Sequence, residues 1–251
     1  MDQLICLYKP LGLTPLQAIE RFVAKRKEYK GKKASYCGRL DPLAEGVLLM
    51  LAGEGTKQMQ TYMGLDKTYE AEIILGLNTD TLDLLGLATK GEQIAIDEKV
   101  LKKKIRNFVG NYTQEIPAYS SFIVKGKALW MHARSGNLDQ IILPQTKVKI
   151  KKILVGDVYT IQSSRLLKEI KKKVGLVVGD FRQEAIIARW EELLSGKQDA
   201  FTVVKVTIDC SSGTYIRAIA RDVGREYGGG ILLSLKRTKV GKFTIKNCEK
   251  V

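Results

Sequence analysis

The sequence is poor in the residues that most often carry metal and nucleophilic chemistry. Its 251 residues include one histidine, His132, and four cysteines that lie far apart and form no C-x-x-C pair. This spacing predicts neither a zinc site nor a disulfide framework. A Ser-His-Asp or Cys-His mechanism would need His132, and nothing near it has the pattern of an activated nucleophile. Carboxylate, arginine and tyrosine side chains remain as candidate catalytic groups.

Long apolar runs are also missing. No stretch reaches the ~18 residues that a membrane-spanning helix needs, and Lys9 and Pro10 interrupt the apolar start "LICLY" without a signal-peptide pattern. We therefore expect a cytoplasmic protein that does not act on membranes. Acidic residues are in the minority: 42 lysines and arginines face 27 aspartates and glutamates, a formal net charge of +15. A surplus of this size favours a polyanionic partner.

The positive charge is concentrated in three segments, at 24–33, 99–110 and 146–161. A solvated surface explains any one of them equally well. Three such segments in one chain favour a nucleic-acid surface over that explanation.

The hydrophobic pattern mixes helices with strands. "TPLQAIERFVAK" has helical spacing behind a capping Thr14, and strands are predicted at 68–77, 146–161 and 201–210. Between the last two strands, residues 163–197 form a different segment with two helical patterns, which we interpret as an insertion. The pattern predicts an α+β fold with one domain over the whole sequence.

The stretch "SYCGRLDPLAEGVLLML" at 35–51 places Asp41 among leucines and a proline, between Gly38 and Gly46. A carboxylate among apolar groups is poorly solvated, so it must be paired, protonated or catalytic. An Asp-Pro turn that merely begins an element is the other interpretation that these residues allow.

A second stretch, "CSSGTYIRAIARDVGREYGGG", contains a possible partner for that acid. A turn follows a strand, and Arg217 falls in the first turn of the helix after it, among isoleucines. A guanidinium stays charged, so in apolar surroundings it needs a carboxylate. The helix N-terminus also favours anions, including phosphate.

Two further stretches place aromatics beside charged residues. In "DKTYEAEIILGLNTDTLDLLG", Tyr69 opens a strand and Asp83 lies in the loop beyond it. In "IPAYSSFIVKGKALWMHARSG", Tyr119, Trp130 and Arg134 interleave with lysines. Such alternation suits contacts to a nucleic-acid backbone and base stacking, and it equally suits an ordinary amphipathic helix.

Taken together, these stretches resemble the TruB family of tRNA pseudouridine synthases. The match runs in order through "YKPLGLTPLQAI", "GRLDPLAEGVL", "KTYEAEIILGLNTDTLD", "IPAYSSFIVKGKALWMHARSG", "CSSGTYIRAIARDVG" and "LKRTKVGKF". It spans most of the chain apart from 163–197, and "LDPLAEG" followed by "GTYIR" is a highly specific pair. The resemblance implies a pseudouridine-synthase fold, with a mixed, mostly antiparallel sheet, flanking helices and an RNA-binding cleft.

The resemblance also implies an activity, the isomerisation of a uridine to pseudouridine at position 55 in the T-loop of tRNA, with no cofactor and no metal. Asp41 matches the aspartate that acts at the ribose, and Tyr69 the tyrosine that stacks on the extruded uracil. Arg217 matches the arginine that pairs with the aspartate, and Asp83 the acid that braces this arginine. Leu235 matches an apolar residue near the target base.

Other candidate substrate-binding residues are less regular. Lys9 falls in the family's N-terminal motif, which is more structural than chemical. Tyr36 stands where the family usually has a histidine that fills the space left by the flipped nucleotide, and Arg39 replaces a small residue. Ile123 stands where lysine is common. We expect no C-terminal PUA-type RNA-binding domain in this sequence. We expect a monomer that contacts the T-arm of tRNA.

Two alternatives remain beside this interpretation. One is a pseudouridine synthase for another RNA such as ribosomal RNA, since "RLD" around Asp41 is also the core of the RluA type. The other is an inactive RNA-binding or tRNA-folding protein. An intact set of Asp41, Tyr69 and Arg217 argues against the second, because a binding module has no need of a buried aspartate.

Overall fold

The computed structural model describes residues 3–92 and 94–251. Its strands are β1 (Gln3–Lys9), β2 (Ala34–Cys37), β3 (Ala44–Ala52), β4 (Lys67–Leu75), β5 (Leu77–Thr79), β6 (Ala88–Lys90), β7 (Gly110–Glu115), β8 (Ile123–Val124), β9 (Lys127–Ala128), β10 (Gln145–Gln162), β11 (Ala200–Cys210), β12 (Gly230–Val240), β13 (Phe243–Thr244) and β14 (Glu249–Lys250). Its α-helices are α1 (Pro15–Ala24), α2 (Met59–Met63), α3 (Glu98–Arg106), α4 (Leu129–Arg134), α5 (Ser163–Gly175), α6 (Gln183–Leu194) and α7 (Ile216–Gly224).

One ten-stranded sheet organises the chain, in the order β14-β1-β3-β12-β4-β11-β10-β7, with β2 added to β3 and β13 to β12. Within it, β1–β14 and β12–β3 are the parallel pairs and the other pairings are antiparallel. The two short hairpins β5–β6 and β8–β9 lie outside it. This confirms the expected fold class, a mixed and mostly antiparallel sheet with flanking helices.

The apolar run that follows Asp41 is a central strand covered on both sides. Leu48 and Met50 of β3 pack in one cluster with Phe22 of α1. Val47 and Leu49 alternate with them and pack in another cluster, near α2 and the C-terminal segment. Because both faces of β3 are buried, its sequence is apolar throughout instead of alternating.

Helix α1 begins where the sequence predicted. The Thr14 hydroxyl accepts from the Gln17 backbone N–H, the Gln17 side chain accepts from the Thr14 N–H, and Pro15 occupies the first turn. Such a capping box stabilises a helix by about 1 kcal/mol.

Two pairs of helices cover opposite faces of the sheet. Helices α3 and α7 pack in the cluster that contains Ile73 and Val204, whereas α5 and α6 pack in the cluster that contains Ile74 and Val203. Neighbouring residues of a strand point to opposite faces, so the two clusters lie on opposite sides of β4 and β11. The predicted strands at 146–161 and 201–210 and both helices within 163–197 are confirmed.

Among the described residues, the longest and most apolar helices fall short of what crossing a membrane requires.

Candidate active site

Asp41 lies in the loop that joins β2 to β3, and two glycines shape this loop. Gly38 has φ +80° and Gly46 has φ +110°. A Cβ at Gly46 would lie 2.2 Å from the Arg237 carbonyl oxygen of the adjacent strand β12. Side-chain-bearing residues rarely adopt such φ values, and at Gly46 they would also collide with β12. The loop therefore needs glycine at both ends of the "GRLDPLAEG" motif.

Arg217, in the first turn of α7, pairs with Asp41 through two nitrogens. Its Nε lies 2.9 Å from Asp41 Oδ2, and its Nη2 donates to Asp41 Oδ1 at 3.3 Å. The same guanidinium donates to the carbonyl oxygens of Thr81 and Tyr119. The Arg217 side chain is 5% exposed and that of Asp41 31%. The arginine is thus fixed by buried acceptors, while the carboxylate keeps one accessible side.

The charges around Arg217 keep it protonated. Burial alone would lower the pKa of Arg217, but the neighbouring charges of Asp41 and Asp83 outweigh it and the pKa is raised. This permanently charged, buried guanidinium attracts the Asp41 carboxylate and orients it.

Asp83 braces the arginine through its neighbour. Its Oδ1 accepts from the Thr81 hydroxyl at 2.7 Å and from the Leu85 N–H at 2.9 Å, and it holds the turn whose Thr81 carbonyl accepts from Arg217. Burial raises the pKa of Asp83, opposed by the charge of Arg217. The acid thus lies behind the arginine, with the Thr81 carbonyl between them.

Tyr69 and Leu235 form the apolar side of the same cavity. Tyr69 on β4 is 7% exposed and Leu235 on β12 is 9% exposed, and both line the cavity that contains Asp41. Burial raises the pKa of Tyr69 above its usual value. The phenol is therefore neutral near pH 7, which favours its use as a flat stacking surface.

The cavity has a volume of about 720 Å³. Tyr36 and Arg39 line one part of it, with the Arg39 guanidinium 5.9 Å from the Tyr36 ring centroid. Tyr119, Trp130 and Arg134 line another part. These aromatic and basic side chains come from two separate stretches of the sequence, and the fold brings them to one cavity.

Lys9 lies beneath the site instead of on its surface. It is 0% exposed, and its Nζ donates to the carbonyl oxygens of Leu13 at 2.6 Å and Pro10 at 3.0 Å, with that of Pro42 at 3.4 Å. Burial lowers the pKa of Lys9 to about 7, against the charge of Asp41, which raises it. The lysine thus ties the N-terminal segment to the Asp41 loop. Its buried position indicates that it supports this loop and does not contact a substrate.

Two buried cations were missed by the sequence interpretation. Arg237 is 1% exposed and donates from Nε to the Val47 carbonyl and from its two Nη atoms to those of Arg39 and Gly38. Lys67 also lines the cavity, and burial lowers its pKa to about 8. The sequence could have indicated both residues. Lys67 lies two positions from Tyr69, and Arg237 two positions from Leu235, each on the same strand and so on the same face.

In the part of the chain that the structure describes, histidines, cysteines and carboxylates form no group that could hold a metal ion. The chemistry that this arrangement offers is electrostatic and nucleophilic: an ionised carboxylate, a fixed guanidinium and an aromatic face.

Comparison with known proteins identifies the family. The model of the TruB family pseudouridylate synthase (N terminal domain) matches residues 26–178. The tRNA pseudouridine synthase B of Burkholderia mallei is 33% identical over 248 residues, which cover 98% of this chain and 67% of that protein. The enzyme of the same name from Thermotoga maritima is 31% identical over 244 residues, 97% of this chain and 64% of its own length.

A solved structure, the crystal structure of a Cbf5-Nop10-Gar1 complex, contains a chain with the same fold. It matches 99% of this chain and 52% of its own with a TM-score of 0.59 and 20% sequence identity. The present chain thus spans about two thirds of its curated relatives and half of this structural neighbour. The sequence matches and the shared fold lead to one assignment, and the chain belongs to the TruB family of pseudouridylate synthases.

Proposed function

We propose that this protein converts a uridine of tRNA to pseudouridine at position 55 in the T-arm, as a monomer in the cytoplasm, with Asp41 as the catalytic carboxylate. The observation that carries the proposal is the two-nitrogen pair between Arg217 and Asp41 at the base of a cavity lined by Tyr69. The relatives named tRNA pseudouridine synthase B support tRNA as the substrate.

The reaction breaks the N1–C1′ bond of the nucleotide and forms a C5–C1′ bond after the base has turned. Atoms balance without a co-reactant, because C5 releases one proton and N1 ends with one. Bond cleavage builds positive charge at C1′, and an ionised Asp41 beside this carbon stabilises the charge or captures it covalently. Arg217 holds the carboxylate in its ionised form.

The base must first leave the stacked loop, which costs a few kcal/mol. Stacking on an aromatic face such as that of Tyr69 contributes about 1–3 kcal/mol in return. Tyr36 lies at the same cavity and has a ring that can fill the space left by the base. Contacts of basic side chains to phosphates supply affinity that falls with salt.

The test compares three RNAs with the purified protein: an unmodified tRNA transcript, a T-arm hairpin alone and a ribosomal RNA fragment. We expect pseudouridine in the first two at the T-loop position, mapped by chemical modification and sequencing. Product only in the ribosomal fragment would move the target to another RNA. Binding of all three without product would identify an RNA-binding protein and refute the enzymatic proposal.

A further inference from the structure

The loop between α5 and α6 reaches the candidate active site. Its residues Asp180, Phe181 and Arg182 line the cavity that contains Asp41. The loop is also anchored away from the cavity, since the Val178 N–H donates to the Gly12 carbonyl at 2.9 Å. The 163–197 segment therefore does more than cover the back of the sheet, because its connecting loop forms part of the cavity wall.

Two ion pairs join this loop to other parts of that wall. Asp180 Oδ2 lies 2.9 Å from Nη2 of Arg134 on α4, and Arg182 Nη2 lies 2.9 Å from Oδ2 of Asp80. The Arg182 guanidinium also lies over the Tyr119 ring, 4.9 Å from its centroid. Arg182 thus touches two segments of the wall that are distant in sequence.

Both of these segments hold Arg217. The Tyr119 carbonyl accepts from Arg217 Nη2 at 3.2 Å, and the carbonyl of Thr81, the residue after Asp80, accepts from Arg217 Nη1. A path of direct contacts therefore leads from Arg182 through these carbonyls to Arg217 and on to Asp41.

The backbone of Arg182 is unusual for a residue with a side chain. Its φ of 64° and ψ of 29° lie in the left-handed region, which glycine adopts readily and in which arginine is strained. Strained conformations of this kind persist where the surrounding structure holds them and often accompany functional sites. Glycine would suit this backbone better, yet an arginine stands there, with its side chain paired to Asp80 and lying over the Tyr119 ring.

We propose that Arg182 is a positioning residue for the pseudouridine reaction: it fixes the Tyr119 and Asp80 segments, and through them the orientation of the Arg217–Asp41 pair. This inference rests on the proposed function for its catalytic meaning. It assigns a task to the α5–α6 insertion, which is to hold the site in its reactive geometry.

The decisive variant is Arg182→Gly, which removes the side chain and relieves the backbone at once. We expect the single-turnover rate at saturating tRNA to fall about 10- to 100-fold, because small displacements of catalytic groups have effects of this size. The Kd for tRNA should stay within about twofold and the Tm should not fall, since glycine fits this φ. Arg182→Lys should restore part of the rate, because it keeps a charge beside Asp80 and Tyr119.

The matched control is Lys171→Ala, which removes the exposed Lys171–Glu191 ion pair between α5 and α6 away from the cavity. It should leave the rate unchanged. A second readout needs no substrate: exchange of the Arg217 Nε–H with water, followed by NMR, should become faster in Arg182→Gly and stay unchanged in the control.

Three results would overturn the inference: an unchanged rate and unchanged Nε–H exchange in Arg182→Gly, a loss confined to the Kd, or a loss of rate that follows a loss of Tm. Failure of the proposed function looks different, because then the wild type itself would form no pseudouridine while the Nε–H exchange would still report on Arg182.

Discussion

The strands β4 and β12 border two cavities whose chemistry differs. Tyr69 and Arg237 line the cavity with Asp41, whereas Glu70 and Lys236, their immediate neighbours, line a second cavity of about 560 Å³. Adjacent residues of a strand point to opposite faces, so Tyr69 and Glu70 face different cavities, as do Arg237 and Lys236, while Leu235 borders both. A charged cavity alone therefore does not distinguish a site of chemistry in this molecule.

The difference lies in how the carboxylates are held. In the second cavity, both Glu72 oxygens accept hydroxyl donors, at 2.9 Å from Tyr159 and 2.7 Å from Ser234. Asp41 is held instead by one buried guanidinium that is itself fixed by backbone carbonyls. Flexible hydroxyls satisfy a carboxylate, but a fixed charge orients it and leaves its open side reactive.

The largest difference in reaction rate is expected between two variants, one that neutralises Asp41 and one that neutralises Glu72. Asp41→Asn should reduce pseudouridine formation by at least about 10³-fold, because it removes the charge that stabilises C1′. Glu72→Gln should stay within about twofold, since it changes only a satisfied, partly exposed group. Rates are measured on the same tRNA transcript, with circular dichroism to confirm folding. Equal losses in both variants would erase the distinction between the cavities.

The cations of the two cavities provide the next contrast. Arg217→Ala leaves a carboxylate without its partner and the Thr81 and Tyr119 carbonyls without this donor, so it should lower the free energy of unfolding by about 3–5 kcal/mol and abolish activity. Lys205→Ala removes an exposed pair with Asp157 and a contact with the Tyr159 ring, and it should cost at most about 1 kcal/mol. Urea unfolding measures both. A loss at Arg217 as small as that at Lys205 would contradict the role of the buried pair.

A third comparison is between Tyr69, at the Asp41 cavity, and Tyr159, which donates to Glu72. Tyr69→Ala should weaken tRNA binding by about 1–3 kcal/mol through lost stacking, whereas Tyr69→Phe keeps the ring and should keep the affinity. Tyr159→Phe removes one hydrogen bond to Glu72 and should cost about 1 kcal/mol of stability with no change in rate. Binding is measured by filter retention and turnover by product formation. Full activity of Tyr69→Phe would leave only a stacking role for Tyr69.

The smallest expected effect is a pH dependence of the folding stability, caused by Lys9 beneath the Asp41 loop. Burial lowers the pKa of Lys9 from 10.5 to about 7, so between these values the unfolded chain binds a proton that the folded chain lacks. Stability should therefore rise with pH from about 7 to 9. Lys9→Met should reduce this rise in urea titrations, leaving the part due to Lys67, whereas Lys236→Met, at a partly exposed side chain of the second cavity, should not. Identical slopes in all three proteins would contradict the altered pKa.

Local pattern was enough to predict many elements of the fold. The cap at Thr14, the strands β10 and β11 and both helices within 163–197 follow from hydrophobic spacing and turn residues, which act over a few neighbours. For the segment with Tyr119 and Trp130, the sequence pattern suits both an amphipathic helix and an RNA contact. It forms the short hairpin β8–β9 and α4, and part of it lines the cavity.

The sequence by itself determined which groups need partners: an aspartate and an arginine, each among apolar residues, cannot stay charged and buried alone. Only the tertiary structure decided how they meet, since Asp41 and Arg217 are joined across 176 residues. It likewise brought Cys6 and Cys248 to a sulfur–sulfur distance of 2.8 Å, which their spacing did not predict. The position of Arg182 at the cavity could not be predicted from the sequence either. Side chains from separate elements converge through sheet order and helix packing, and these depend on the whole chain at once.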